Sequence, residues 1–242
     1  VYDIGAIRTD KKIELRKYRI FRQQKEIDAW VNKEFKTWRD NLGIDTKDAI
    51  RRYTNQNYTS INQSLRRGDD RNPKIVNDVR KIDNAFQTVV IPENIVSWRG
   101  INADISSWNI GDILEEKAYT STSLMQKPAL RATNGPKQGI LLKINIPAGA
   151  HGAALGNIGL MQNKRTESEV LLARNQRFEI ISIEDSILPH PDFPEEKIHP
   201  KLITLDLKGG PLRKQDTGGF SGTVAVSTDP GIYTITYGED GK

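Results

Sequence analysis

A chain of 242 residues with 36% hydrophobic residues has the material for one large core or two small ones. Its mean hydropathy of −0.58, with no run of about 18 apolar residues, argues against a transmembrane helix. The absence of cysteine excludes disulfides, zinc–thiolate and iron–sulfur sites and thiol nucleophiles, and three histidines (His151, His190, His199) are too few for a histidine-rich metal centre.

Catalysis, if present, is thereby directed toward carboxylates. The net charge of +5 is uneven: residues 1–72 carry 17 Lys/Arg against 11 Asp/Glu, and residues 73–242 carry 19 against 20. The basic residues alternate with acids at helical spacing, which reads as a solvated helix face rather than a nucleic-acid surface. The chain opens on Val1 without a signal-peptide pattern, consistent with a trimmed N-terminus.

Residues 12–86 are expected to be helical. Ile20, Ile27, Trp30, Val31, Phe35 and Trp38 recur at spacings of three, four and seven, one stripe of an amphipathic helix. Gly43 is expected to stop this helix. Asp45 or Thr46 can cap a second, running through Ile50, Tyr53, Ile61 and Leu65. Asn72-Pro73 marks the start of a third, with Ile75, Val76, Val79, Ile82 and Phe86 inside. Beyond residue 88 the period shortens. Strands are predicted over 88–91, 94–99, 117–121, 139–146, 169–172, 177–183 and 202–207, between Pro, Gly, Asn and Asp clusters. The expected fold is α+β, an N-terminal helical layer (about 12–86) on a mostly antiparallel β-sandwich core (about 88–207). Residues 208–242 form a tail or an edge hairpin, with strands 220–226 and 232–237 around Asp229-Pro230-Gly231.

Three short motifs bear chemistry. In Ser97-Trp98-Arg99-Gly100 an arginine ends a strand, where its planar fork suits a phosphate and Gly100 leaves room for a ligand. Tyr119-Thr120-Ser121-Thr122-Ser123 is a run of hydroxyls at a strand end. In Thr166-Glu167-Ser168-Glu169 the two glutamates, two apart, would share a strand face, costly unless they meet a cation or do acid–base work. Each has a plainer reading when taken alone: a surface ion pair, hydroxyls satisfying backbone, and an ordinary surface Glu pair.

Together and in this order, Arg99, Ser121-Thr122-Ser123 and Glu167/Glu169 resemble the R–S–E class of mono-ADP-ribosyltransferase toxins. The pattern looks like the arginine-modifying branch, the enzymatic components of clostridial actin-modifying binary toxins and their insecticidal relatives. Tyr53, Tyr58 and Asn62 match the spacing of a helix that roofs the NAD site in that family, and Lys143-Ile144-Asn145-Ile146-Pro147 resembles its central strand. The resemblance covers roughly residues 12–207.

The resemblance implies an ADP-ribosyltransferase domain over 1–207 that consumes NAD and needs no metal. Arg99, with Gly100, would bind the NAD phosphates. Ser121 would hold Glu169, which would stabilise the oxocarbenium-like ribose as nicotinamide leaves. Glu167 would orient an acceptor guanidinium, so the target is expected to be an exposed arginine of a host protein, with actin one possibility. Tyr53, Tyr58, Asn62, Thr122, Ser123 and Arg131 complete the expected nucleotide contacts. The chain departs from the family in two places. Residues 156–166 contain no aromatic, only Leu160 and Met161 as large apolar groups, and residues 126–138 offer Arg131 but no aromatic. These departures bear on the target more than on NAD. A secreted protein, or one delivered into a host cell by a separate module, is the expected setting. Two alternatives remain open: an NAD glycohydrolase on the same fold, and a non-enzymatic module that binds an acidic partner through its basic half.

Overall fold

The computed structural model describes residues 2–9, 12–133, 139–158, 168–209 and 232–234. The first departure from expectation comes at the start. Strands β1 (Tyr2–Thr9) and β2 (Lys12–Arg19) form an antiparallel hairpin, so the helical layer begins at Gln24 rather than at residue 12. The apolar residues Ile13 and Leu15 repeat at a period of two, a strand signal inside a stretch read as helix. Ile20 therefore lies outside the helix whose stripe it seemed to open.

Helix α1 (Gln24–Asn41) buries Ile27, Trp30, Val31, Phe35 and Arg39. Gly43 does not terminate it in a left-handed cap. With φ −60° and ψ 153° Gly43 is the extended residue before α2 (Ile44–Arg52), and Asp45 lies in the first turn of that helix, where its charge suits the dipole. The continuous helix expected through Tyr53 and Leu65 is interrupted. Tyr53–Asn57 form one π-helical turn, and α3 (Tyr58–Arg67) follows and ends in left-handed Gly68. Helix α4 (Pro73–Phe86) starts as predicted: Asn72 accepts from the backbone N–H groups of Lys74 and Ile75, with Pro73 in the first turn.

The strands that follow are β3 (Ile95–Asn102), β4 (Ile113–Glu116) and β5 (Thr120–Ser123). Helix α5 (Gln126–Arg131) comes next, then β6 (Gly139–Ile146), β7 (Gly152–Ala154), β8 (Glu169–Leu172), β9 (Gln176–Asp185), the short β10 (Leu188–Pro189) and β11 (Lys197–Ile198), β12 (Lys201–Leu207) and β13 (Ile232–Thr234). The expected strand at 88–91 is only a single bridge, Val90 to His151. Strand β4 and helix α5 have too few residues for periodicity to register.

The main sheet runs β13-β4-β9-β12-β6-β3-β5-β8-β7, and most of its pairings are antiparallel. Parallel pairs join β6 to β12 and β4 to β13. Ile232–Thr234 thus pairs with β4, whereas residues 220–226, the other arm of the expected hairpin, lie outside the described residues. Along this run the sheet narrows where β3 meets β5 through a single pair, Trp98 with Ser123. On one side of this seam β3 and β6 share eight pairs, and on the other β5 and β8 share four.

The helical layer covers the seam with one continuous core that includes Phe35, Ile50, Tyr53, Ile82, Phe86, Tyr119 and Leu171. Each such large apolar side chain contributes about 1.5–3 kcal/mol by leaving water. Tyr53 meets Tyr119 edge-to-face at 5.3 Å, and Tyr119 meets Phe86 at 6.1 Å. Tyr119 also donates to Asp83 of α4 at 2.6 Å, and Arg174 donates to the other oxygen of that carboxylate at 2.8 Å. Two further ion pairs knit the layer: Arg52 with Asp78, and Arg66 with Glu116. Both of these carboxylates are buried, so removing either arginine would leave a costly unpaired charge.

Two predictions follow from this packing. A Cβ added at Gly100 would sit 1.9 Å from the Ala129 carbonyl oxygen and 2.9 Å from Ala132 Cβ. Gly100→Ala should therefore push α5 off β3 and cost about 1–3 kcal/mol, read as a lower urea midpoint. Burial also raises the phenols of Tyr53 and Tyr119 above their ordinary value of 10.0. The unfolded chain then loses these protons first. The stabilisation from two neutral buried phenols is complete below pH 10 and is lost as pH rises above it. The urea midpoint should hold up to pH 10 and fall as pH rises above it, less steeply in Tyr53→Phe.

Candidate functional site

Arg99, Ser121 and Glu169 come together at the seam, although 22 and 48 residues separate them. Arg99 lies within β3, which runs on to Asn102 rather than ending at the arginine as expected; it follows the single bridging pair by one residue, and its Nη1 donates to the Ser121 carbonyl at 2.5 Å. Antiparallel pairing sets Ser123 opposite Glu169 and Ser121 opposite Leu171. Ser121 and Glu169 therefore share one face on adjacent strands, diagonal neighbours within side-chain reach. Ser121 Oγ donates to Glu169 Oε1 at 2.6 Å, the short distance expected when the acceptor is charged.

The other hydroxyls of this run turn to structural tasks. Thr122 faces the interior and donates to the Val170 carbonyl at 3.0 Å, and Ser123 accepts from the Met125 N–H at 3.1 Å ahead of α5. The space beside Gly100 is filled by α5, so in this structure the glycine admits a helix rather than a ligand. Arg131, at the end of α5, donates to Asp192 through Nε and Nη2 at 2.9 and 2.6 Å. Both side chains are about half exposed, and a diphosphate would have to compete with Asp192 for this guanidinium.

The three helical residues separate by depth. Tyr53 is 1% exposed, and its hydroxyl lies 3.1 Å from Asn62 Nδ2 and 3.4 Å from the Tyr119 carbonyl. Its phenol is raised chiefly by burial; the Asn62 bond and the Arg99 charge oppose the rise, and Glu169 and Glu116 add to it. Tyr53 and Asn62 thus lie in the core beneath the site. Tyr58, at the far end of the π turn, is 41% exposed and is the member of the trio that solvent reaches.

Glu167 lies outside the described residues. The premise that it shares a strand face with Glu169 does not carry over, because β8 begins at Glu169 and Ser168 has φ 50°. Strand alternation ends at a left-handed residue.

Residues that local patterns did not single out hold the approach to Glu169. Leu155 N–H donates to the Glu169 carbonyl at 3.1 Å. Arg51 Nε donates to the Ile158 carbonyl at 3.1 Å. Arg39, only 6% exposed, donates to the Val31 carbonyl, and its guanidinium packs on left-handed Gly156, where an added Cβ would be 3.0 Å away. Burial lowers its pKa from the usual arginine value. No spacing rule pairs helix arginines with a segment more than 100 residues later. Among the described residues no group of three or more His, Asp or Glu side chains could hold a metal ion, and no helix is long and apolar enough to cross a membrane.

Comparison with known proteins bears on this arrangement. The chain is 30% identical over 159 residues to an NAD(+)–arginine ADP-ribosyltransferase from Enterococcus faecalis. That match covers 62% of the chain but only 31% of the relative's length, so the chain spans about a third of the curated protein it matches. Among solved structures, the enzymatic component C2-I of the C2 toxin from Clostridium botulinum superposes with a TM-score of 0.64 at 17% identity, covering 85% of this chain and 54% of that one. C3stau2 from S. aureus, solved with NAD, gives 0.62 at 23% identity, covering 78% and 98%. At these identities the two structures establish the fold, an ADP-ribosyltransferase toxin fold of mixed α and β elements. Residues 27–205, well over half of the sequence and all of the seam, match the ADP-ribosyltransferase exoenzyme family, and the chain belongs to that family.

Proposed function

We propose that this chain transfers ADP-ribose from NAD to an arginine side chain of a host protein and releases nicotinamide. The observation that carries the reading is the hydrogen-bonded chain Arg99–Ser121–Glu169 at the sheet seam. A guanidinium has five N–H donors, and the bond to the Ser121 carbonyl uses one of them. The planar fork of the guanidinium suits the NAD diphosphate. Ser121 holds the Glu169 carboxylate in one orientation, ready to accept from a ribose hydroxyl and to face developing positive charge.

The reaction breaks the bond between ribose C1 and the nicotinamide nitrogen. Nicotinamide leaves with the bonding electron pair, becoming neutral. The ribose carbon becomes cationic, and a fixed carboxylate nearby lowers the barrier to this charge separation. A guanidine nitrogen lone pair then closes on C1, and the proton it sheds needs an acceptor. Glu167, two residues before Glu169, is our candidate for orienting the guanidinium and taking that proton. A carboxylate suits this role because it pairs with guanidinium bidentately. We assign the nucleotide contact to Tyr58, the exposed member of the trio, and a supporting role to the buried Tyr53 and Asn62. The E. faecalis relative, by its name, modifies arginine, which supports the acceptor class without naming a protein target.

Nicotinamide release and labelling of agmatine, a free guanidine acceptor, test the proposal in one assay. Glu169→Ala should lose both activities by at least about a thousandfold, the scale on which removing a transition-state charge stabiliser acts. Glu167→Gln should keep nicotinamide release within a few-fold and lose agmatine labelling. Full turnover by Glu169→Ala would refute the reading. Nicotinamide release that no arginine compound diverts would point to a glycohydrolase.

A further inference from the structure

Ser168, the residue before Glu169, has φ 50°, a left-handed conformation that costs a serine energy and persists only where its surroundings impose it. Two backbone bonds and one side-chain bond surround the turn. The Leu124 N–H donates to the Ser168 carbonyl at 3.0 Å, and the Leu155 N–H to the Glu169 carbonyl at 3.1 Å. The side-chain bond comes from far away in sequence: Ser168 Oγ donates to Gln24 Oε1 at 3.0 Å. Gln24 is the first residue of α1, 144 positions earlier.

The Gln24 amide is itself oriented. Its Nε2 donates to Asp28 Oδ1 at 2.8 Å, one helical turn on. Flipping the amide would set its oxygen against that carboxylate, so Asp28 keeps the Gln24 oxygen turned toward Ser168. A run of hydrogen bonds therefore leads from the start of α1 to the residue that precedes Glu169. The backbone direction at Ser168 decides where the Glu169 side chain leaves β8. Ser121 Oγ, 2.6 Å from the carboxylate, leaves little tolerance for a change in that direction.

We propose that Gln24 is a positioning residue: through Ser168 it holds the left-handed turn that presents the Glu169 carboxylate to Ser121. The proposal rests on the transfer reaction above, and its test separates the two. Gln24 is exposed and alanine is a strong helix former, so Gln24→Ala should fold normally.

The test is steady-state nicotinamide release from NAD by the whole chain. Gln24→Ala and Ser168→Ala should each lower kcat about 3- to 10-fold, the range for losing one partly exposed neutral hydrogen bond, with KM for NAD essentially unchanged. The double variant should be no slower than the worse single one. Ser168→Gly relieves the backbone cost, so it should raise the thermal midpoint yet keep the low kcat. Unchanged kcat in Gln24→Ala, losses that multiply in the double variant, or a Ser168→Gly enzyme of full kcat would each overturn the proposal. Wild-type protein that releases no nicotinamide would refute the transfer reading instead. Hydrogen exchange would then decide the positioning claim: faster exchange of the Leu124 and Leu155 amides in Gln24→Ala supports it, and unchanged exchange overturns it.

Discussion

The hydrogen bond from Ser121 to Glu169 stands beside the narrow junction of β3 and β5, and the arrangement of the described residues makes sense around it. Backbone pairing between β3 and β5 is reduced to one residue pair. The guanidinium of Arg99 supplies an extra tie across that gap by donating to the Ser121 carbonyl. Side chains thus do at the seam what a backbone ladder does elsewhere in the sheet. A sheet that separates here presents groups from two strand sets to one place, and a ladder continued across it would have used those backbone groups for pairing.

Such a seam needs support from behind, and the helical layer provides it in two ways. Its aromatic core is fully buried beneath the site, with Tyr53 set between Asn62 and Tyr119. Its ion pairs connect particular elements: α2 to α4 through Arg52 and Asp78, α3 to β4 through Arg66 and Glu116, and α4 to the residue after Ala173 through Asp83 and Arg174. Pairs of this kind add little net stability over apolar packing, but a misplaced partner would strand a buried charge. Their contribution is to favour one docking of the layer on the sheet. The π turn at Tyr53–Asn57 has a comparable effect, since it lets the chain bury Tyr53 while leaving Tyr58 within reach of solvent.

Much of this was legible in the residues. The α1 and α4 stripes, the Asn72-Pro73 start, and the strands around Arg99, 139–146 and Glu169 follow from period and capping alone. The order Arg99, Ser121, Glu169 pointed to the place where the three groups meet. What escaped was decided by tertiary contact. The β1–β2 hairpin has a short alternating pattern next to a long helical one, and over so few residues the two periods are hard to tell apart. Gly43 and Gly100 looked like a helix stop and a ligand berth; their actual settings, before α2 and under α5, depend on neighbours that the local sequence does not name. Ser168 broke the strand alternation because its backbone is left-handed, a conformation serine seldom signals in advance. The ties from Gln24 to Ser168, Arg39 to Gly156 and Arg51 to Ile158 span more than a hundred positions, beyond any local rule.

The central claim is that Ser121 acts by holding Glu169, and a double-mutant cycle on nicotinamide release isolates that coupling. Ser121→Ala should slow nicotinamide release by the otherwise wild-type chain about 10- to 100-fold, the worth of a hydrogen bond to a charged group. In a Glu169→Gln background, where the carboxylate is already gone, the same substitution should cost less than about threefold. Equal losses in the two backgrounds would show that the two side chains act independently, and would contradict the account.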